Sequence, residues 1–174
     1  NIPNDTVLDC FFDKETQTIH ILDVLEYKAR DLINCDFAFR SYWIKTKFTE
    51  DELETYGGLT LKMIQNYDFS DAHQIDSALN TYPIFSDNTQ LDGFLFYHKD
   101  GSYTYGESPL VLWLYSFMIE ELLPMFNVNE FYNEKPENYT NYLQFIQEFE
   151  AKREKGKRKT DKMDTETSHA QESV

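Results

Sequence analysis

Two short apolar runs near the middle of the chain constrain its fold more than any other feature. The first run, Phe94 to Tyr97, follows Gly93, and the second is Leu110 to Leu114. Apolar runs of this length, bounded by turn-forming residues, are typical of buried strands. The polar residues 99–101 predict a hairpin between them. Because alternate residues of a strand face opposite ways, Trp113 can present its indole on one face of this strand pair.

Other stretches carry the patterns of further strands and helices. Two apolar runs, residues 6–13 and 17–27, flank a polar segment and predict an antiparallel hairpin. Asp36 can cap a helix whose apolar residues recur through Phe48, and its additional aromatic residues predict burial on two sides. The remaining predicted elements are a strand over 59–69, a helix capped by Ser70, helical residues 116–123, and a last helix after Pro136 with an apolar face at Tyr142, Phe145, Ile146 and Phe149.

The connections between the predicted strands indicate the fold class. Short polar turns join the strand pairs, which favours antiparallel pairing over a doubly wound parallel sheet. We therefore predict an α+β fold with mostly antiparallel sheets and packed helices. A chain of 174 residues is long enough for one domain with a core. We place that domain at residues 1–150 and a basic, then polar, disordered tail at 151–174.

Charge is distributed unevenly along the chain. Residues 1–151 hold 26 acidic and 9 basic side chains, a balance of −17, whereas residues 152–174 hold 5 acidic and 7 basic ones, a balance of +2. The formal net charge of −15 argues against non-specific binding to nucleic acid, which depends on cations that neutralise phosphates. The basic tail is open to two interpretations, a docking or targeting signal and a solvated linker that ends the preceding helix. We favour the linker.

Several classes of protein and site are disfavoured by the sequence. The longest apolar stretch, residues 109–119, falls short of the roughly 20 residues of a membrane span. Cys10 and Cys35 cannot form a disulfide framework, and no Cys or His pattern has the spacing of a metal site. The four histidines are scattered. We therefore expect no membrane association, no metal and no cofactor.

Five segments of the chain, taken in order and spacing, resemble a known family. They are LDC at 8–10, ILDVL at 21–25, DFAFRSYW at 36–43, LDGFLFYHK at 91–99 and PLVLWL at 109–114. Together they resemble the snurportins over residues 6–126. Snurportins are import adaptors that recognise the trimethylguanosine cap of spliceosomal small nuclear RNAs. Their cap-binding domain is similar to the nucleotidyltransferase core of mRNA guanylyltransferases, so the resemblance implies part of that fold.

The same resemblance implies partners and location. It implies a capped small nuclear RNA as ligand, shuttling between nucleus and cytoplasm, and importin beta and exportin as partners of the full-length protein. In the family, part of the cap-binding domain and the importin-binding segment precede the stretch that matches Thr6. We therefore expect this chain to be a carboxyl-terminal portion of such a protein that lacks the importin-binding segment. We also expect it to be a monomer.

An enzyme of the guanylyltransferase kind would need a lysine nucleophile in a K-x-D-G motif. Lys99 is followed directly by Asp-Gly, and the tail segment 159–162 lacks glycine. Cys10 and Phe11 follow Asp9, where such enzymes carry a metal-binding acidic residue after Asp-Gly. We therefore predict that the chain is not an enzyme. Two alternatives stay open: a nucleotidyltransferase whose nucleophile lies upstream, and a protein-interaction domain without a nucleotide site.

Trp113 is the strongest candidate for a cap-binding residue. Methylation at N7 makes guanine cationic, and an indole stacked on such a ring gains a cation–π contribution. From pattern alone, Trp113 could equally fill the core between its strand and the next helix. The resemblance matches it to the family's base-stacking tryptophan, with Leu112 where snurportins have a smaller residue.

Four further sites carry weaker expectations. Lys99 could reach a cap phosphate, although a lysine in a turn is usually only solvated. Ser108 could bond a ligand, although serine before proline is more often part of a turn. We expect Arg40 to pair with a carboxylate. The three aspartates inside apolar strands, Asp9, Asp23 and Asp92, are interpreted as strand and turn anchors, since a buried charge must be paired.

Overall fold

The computed structural model describes residues 2–85 and 91–154 of the chain. Within that part, one mixed sheet contains β1 (Val7–Asp13), β2 (Thr18–Tyr27), β3 (Arg30–Asp31), β4 (Thr55–Tyr56) and β5 (Leu59–Met63). The strand order is β1-β2-β5-β4, and β3 pairs with β2. The predicted hairpin is confirmed, since β1 and β2 pair antiparallel from Val7↔Glu26 to Asp13↔Thr18. The α+β class and the mostly antiparallel pairing are also confirmed.

Helix α1 (Phe37–Glu50) connects β2 and β3 to the strands at the other side of the sheet. It begins as predicted at Asp36, whose side chain accepts a hydrogen bond from the Phe39 amide at 2.7 Å. The crossover allows β5 to pair parallel with β2, because parallel neighbours need a long connection. This parallel pair is the exception to the antiparallel pattern.

The sheet covers only one side of α1. Ile44 and Ser41 are buried on that side, whereas Phe39 is 42% exposed and Tyr42 is 70% exposed. The expectation that α1 would be buried on two sides is therefore wrong. The aromatic residues extend the apolar pattern around the helix, but no second layer packs on their side within the described residues.

The larger core lies between this sheet and α1. Strand β2 supplies three of its seven buried residues, more than any other element, because both faces of this strand are covered. The buried residues of this cluster are Ile21, Val24, Tyr27, Leu32, Ile44, Leu53 and Leu61.

A second, smaller core supports the strand pair that contains Trp113. The elements here are α2 (Ala72–Asn80), β6 (Gly93–Tyr97), β7 (Val111–Tyr115), a 3₁₀ turn (Ser116–Met118), α3 (Ile119–Leu122) and a 3₁₀ turn (Glu130–Tyr132). Strands β6 and β7 form a two-stranded antiparallel sheet. The buried residues of this core are Leu79, Ile119, Phe126 and Val128.

Three local predictions need correction. The polar turn at 99–101 exists, but β7 begins only at Val111, so the connection spans residues 98–110. The strand predicted over 59–69 ends at Met63. Helix α2 is capped by Asp71, whose carboxylate accepts from the Gln74 amide at 3.1 Å, and not by Ser70. The amide and the hydroxyl of Ser70 instead donate hydrogen bonds to Asp68 Oδ1.

The chain divides into two compact units, one that ends at Asn133 and one that begins at Glu134. In the second unit, residues 142–154 are helical, and the Asn141 side chain accepts from the Gln144 amide at 3.0 Å. Phe145 is half-buried, whereas Ile146 and Phe149 are exposed. The helix therefore includes the first four residues of the predicted tail. The rest of that tail, 155–174, lies outside the described residues.

Two structural features are absent from the described part of the chain. No helix there has the length and apolar character needed to cross a membrane. Among the same residues, no group of three or more His, Cys, Asp or Glu side chains is arranged to hold a metal ion.

Candidate functional site

The β6–β7 pair has one face in the core and one face that carries the candidate site. Its register pairs Leu95 with Trp113 and Tyr97 with Val111. Phe94, Phe96 and Leu114 pack against the smaller core from the opposite face. This division follows from the two-residue period of a strand, which sends neighbouring side chains to opposite sides.

The indole of Trp113 packs against its own sheet and remains partly exposed. Its exposed fraction is 48%, and it stands edge-on to Tyr115 with 6.1 Å between ring centroids. A Cβ atom at Gly93 would lie 2.9 Å from Cζ2 of the indole. The glycine therefore lets the ring approach β6 closely. Trp113 belongs to neither buried cluster, and about half of the residue is open to solvent.

Replacing Gly93 by alanine should displace this indole. The added methyl group would also collide with the Leu114 carbonyl oxygen and approach Tyr115 Cα to 3.0 Å. Overpacking of this kind costs about 1–3 kcal/mol. We expect a corresponding loss in the free energy of unfolding by urea and a shift in Trp113 fluorescence emission, measured with Trp43 replaced by phenylalanine. Unchanged stability and emission would show that β6 and the indole are not in close contact.

A small open cavity of about 100 Å³ lies at the end of the same strand pair. Tyr97 and Val111, the pair next to Leu95 and Trp113, form part of its wall. Its lining residues are Asp9, Phe37, Arg40, Tyr97, His98, Gly101, Ser102, Tyr103, Thr104, Gly106, Ser108, Leu110 and Val111. The cavity therefore joins β1, α1 and the 98–110 connection.

The 98–110 connection forms backbone hydrogen bonds with α1 and with the residues that precede this helix. The amide of Ala38 donates to the Lys99 carbonyl at 2.9 Å, and the Tyr103 amide donates to the Ile33 carbonyl at 2.9 Å. The rings of Phe37 and Tyr97 stack with 4.1 Å between centroids and 3° between planes. These contacts hold the cavity wall in a defined place without regular secondary structure.

Arg40 of the cavity wall forms a buried ion pair with Asp23 of β2. The guanidinium of Arg40 bonds both carboxylate oxygens of Asp23, with 2.8 Å between Nη2 and Oδ2, and the side chains are 2% and 0% exposed. Its Nη1 group donates to the carbonyl oxygens of Cys35 and Gly101. The predicted pairing of Arg40 with a carboxylate is confirmed. Through Gly101, this pair also supports the 98–110 connection.

Two tyrosines beside the cavity stay protonated at neutral pH. Burial, followed by the charge of Asp9, raises the pKa of Tyr103 to about 12. Burial and the charges of Asp9 and Asp23 also raise the pKa of Tyr97 well above its usual range. The Tyr103 hydroxyl donates to Asp9 Oδ2 at 3.2 Å. The site therefore offers an aromatic face and a cavity with one carboxylate and protonated hydroxyls.

Residues 1–116 match the family model described as the snurportin1 m3G cap-binding domain. The match covers two thirds of the chain, including α1, β6 and β7. The chain belongs to this snurportin1 cap-binding family. The resemblance found in the five sequence segments is confirmed, and the structure described here is that of a cap-binding module.

The three residues predicted as cap contacts occupy different places in this family member. Ser108 lies in the cavity wall, and its Oγ accepts from the Leu110 amide at 3.2 Å, so it also has the predicted turn role. Trp113 lies on the adjoining strand face. The Lys99 side chain is exposed, is not part of the cavity wall, and helps to lower the pKa of Asp68 after the larger effect of Ser70.

Two polar groups of the cavity, Asp9 and Tyr103, were not assigned to a site from sequence. Asp9 was interpreted as a strand anchor, and Tyr103 was not singled out. An acidic residue inside an apolar strand is a usable signal, because burying a carboxylate needs a partner. The sequence does not identify that partner, because Tyr103 lies 94 positions from Asp9 in the chain.

Proposed function

We propose that this chain recognises the trimethylguanosine cap of spliceosomal small nuclear RNAs by stacking the methylated base on Trp113, without catalysis. The observation that carries the proposal is the half-exposed indole within the region of the family match. Stacking on an aromatic side chain contributes about 1–3 kcal/mol per base. The positive charge of the N7-methylated guanine adds a cation–π contribution, which is largest for tryptophan.

The acidic character of the chain fits this ligand better than it fits an RNA chain. The net charge of −15 opposes contact with a long row of phosphates. The terminal base of the cap is cationic, so an acidic aromatic site can favour this base over the neutral bases of an RNA chain. Among the exposed groups nearby, Lys99 at the end of β6 is proposed to meet the cap phosphates, and Ser108 to bond the ligand from the cavity wall.

In the complete protein we propose that cap recognition is coupled to transport between cytoplasm and nucleus, with importin beta and exportin as partners. This part of the proposal rests on the family alone. It is tested separately from cap binding by following a fluorescent capped RNA into nuclei of permeabilised cells with the full-length protein and importin beta. Failure of import with intact cap binding would overturn the transport role alone.

Titration with a trimethylguanosine cap dinucleotide tests cap binding directly. The chain has two tryptophans, so replacing Trp43 by phenylalanine assigns the signal to Trp113. We expect saturable quenching of Trp113 fluorescence, because a stacked base contacts the exposed ring. Unmethylated GpppG is the matched control and should bind more weakly, since its guanine is neutral. If neither dinucleotide quenches Trp113 fluorescence, the result contradicts the proposed function.

A further inference from the structure

The cavity beside Trp113 contains the carboxylate of Asp9, which forms no salt bridge among the residues that the structure describes. Asp9 of β1 lies opposite Asp23 of β2 in the sheet register, an arrangement of like charges that is unfavourable by itself. Arg40 compensates Asp23 through its bidentate contact. Asp9 lines the cavity and accepts one hydrogen bond from Tyr103 at 3.2 Å. A carboxylate has about four acceptor positions, so Asp9 can accept more.

The cavity is unsuited to a phosphate. Arg40 is the cationic guanidinium in its wall, but its contacts go to Asp23 and to the carbonyl oxygens of Cys35 and Gly101. The positive charge of Arg40 is therefore already neutralised by the Asp23 carboxylate. The carboxylate of Asp9 would repel an anion across a distance of a few ångströms. Groups that donate hydrogen bonds are favoured there instead.

The cavity is also close enough to Trp113 to receive part of the same ligand. Val111 in its wall and Trp113 are two residues apart on one face of β7. At the rise of a strand, their Cα atoms are about 7 Å apart. The indole itself leans toward Gly93 and Tyr115, away from the cavity, so a nucleoside must extend along this face of the sheet to reach both.

We propose that this cavity is a subsite for the hydrogen-bond-donating groups of the cap nucleoside, with Asp9 as their acceptor. The inference rests on the proposed function and assigns a specificity-determining residue to it. Two parts of the nucleoside have the required chemistry, the ribose hydroxyls and the N1–H edge of the purine. The dimethylated N2 of the trimethylated base has no hydrogen to donate, which leaves N1–H as the donor on that edge.

Replacing Asp9 by asparagine tests the subsite, because a lost contact and a lost distant charge should change affinity by different amounts. If Asp9 contacts the nucleoside, affinity for the trimethylguanosine cap dinucleotide should fall about tenfold or more, as expected for a lost hydrogen bond to a charged group. If Asp9 makes no contact, its replacement should change affinity by no more than the replacement of Asp100, an exposed carboxylate of the 98–110 connection, does. Calorimetric titration at fixed ionic strength measures the difference.

Asp100→Asn is the matched control for charge. Asp100 is an exposed carboxylate of the same connection and does not line the cavity, so its replacement should leave affinity unchanged or slightly higher. Tyr103→Phe removes the hydrogen bond to Asp9 without changing charge, and should alter affinity by less than about threefold, the effect of a weak neutral hydrogen bond. An equal loss in Tyr103→Phe and Asp9→Asn would overturn the subsite, since it would mean that the effect is structural.

Modified ligands distinguish the two donor sources. With 2′,3′-O-methylated ribose on the cap nucleoside, loss of the difference between the wild-type chain and Asp9→Asn assigns the contact to the ribose, and persistence assigns it to the base edge. Equal affinities of these two proteins for the unmodified dinucleotide overturn the subsite. Cap binding that fails in the wild-type chain as well would instead be a failure of the proposed function.

Discussion

Replacing Trp113 by alanine is expected to weaken binding of the trimethylguanosine cap dinucleotide by about 5- to 4,000-fold. The range follows from the stacking contribution of about 1–3 kcal/mol together with a cation–π contribution of up to about 2 kcal/mol, at about 1.4 kcal/mol per tenfold. The substitution removes the indole of a residue that is 48% exposed, and with it the proposed stacking surface. Calorimetric titration is the appropriate measurement, because the fluorescent reporter is lost with the ring.

The fold should tolerate this change, which makes the result interpretable. Trp113 is 48% exposed and lies outside both buried clusters, so far less stability is lost than at a core position. Trp43→Phe is the control, because Trp43 lies on α1 and is flanked by Arg30 and Lys47. Cap affinity that is the same in Trp113→Ala and in the wild-type chain would contradict the stacking role.

Replacing Arg40 by alanine is expected to cause the largest loss of stability, about 3–5 kcal/mol. The substitution leaves the Asp23 carboxylate buried without its cation, and that side chain is 0% exposed. It also removes the donor to the Gly101 carbonyl, so the 98–110 connection loses a support. Urea unfolding followed by circular dichroism measures the change. A typical domain has only about 5–15 kcal/mol of stability in total, so the variant should be near its limit.

A double replacement separates the buried charge from the lost packing. Arg40→Met combined with Asp23→Leu removes both charges while keeping apolar volume, and should recover most of the stability lost in Arg40→Ala. A loss below about 1 kcal/mol in Arg40→Ala would show that the pair is more open to water than its geometry indicates. A double variant as unstable as the single one would assign the loss to packing.

Much of the fold could be predicted from local patterns. The β1–β2 hairpin, the start of α1 at Asp36 and the strand character of 93–97 and 111–115 all follow from apolar period, turn residues and capping chemistry. Errors arose where a local pattern had more than one structural solution. Ser70 and Asp71 can both cap a helix, and only the backbone geometry selects Asp71. The aromatic residues of α1 have the pattern of buried ones because a sequence cannot show where the covering layer ends.

The residues of the candidate site could be predicted only in part from the sequence. Trp113, Ser108 and Lys99 were chosen from sequence, and the structure puts Ser108 in the cavity wall, Trp113 on the adjoining face and Lys99 outside that wall. Asp9 and Tyr103 were not assigned to the site, because they come from distant parts of the chain. Their contact depends on how the 98–110 connection packs on β1 and α1.

The sequence by itself determined the family, the α+β class and the presence of a strand tryptophan suited to stacking. Periodicity of neighbouring residues is enough to predict the strands and helices, whereas the family and the stacking role of the tryptophan follow from the resemblance of five ordered segments to the snurportins. Only the tertiary structure decided that the Trp113 ring is open rather than buried, that Arg40 neutralises Asp23, and that Asp9 lies in a cavity. Exposure and charge compensation are properties of three-dimensional neighbours, and those neighbours are set by packing between segments far apart in the chain.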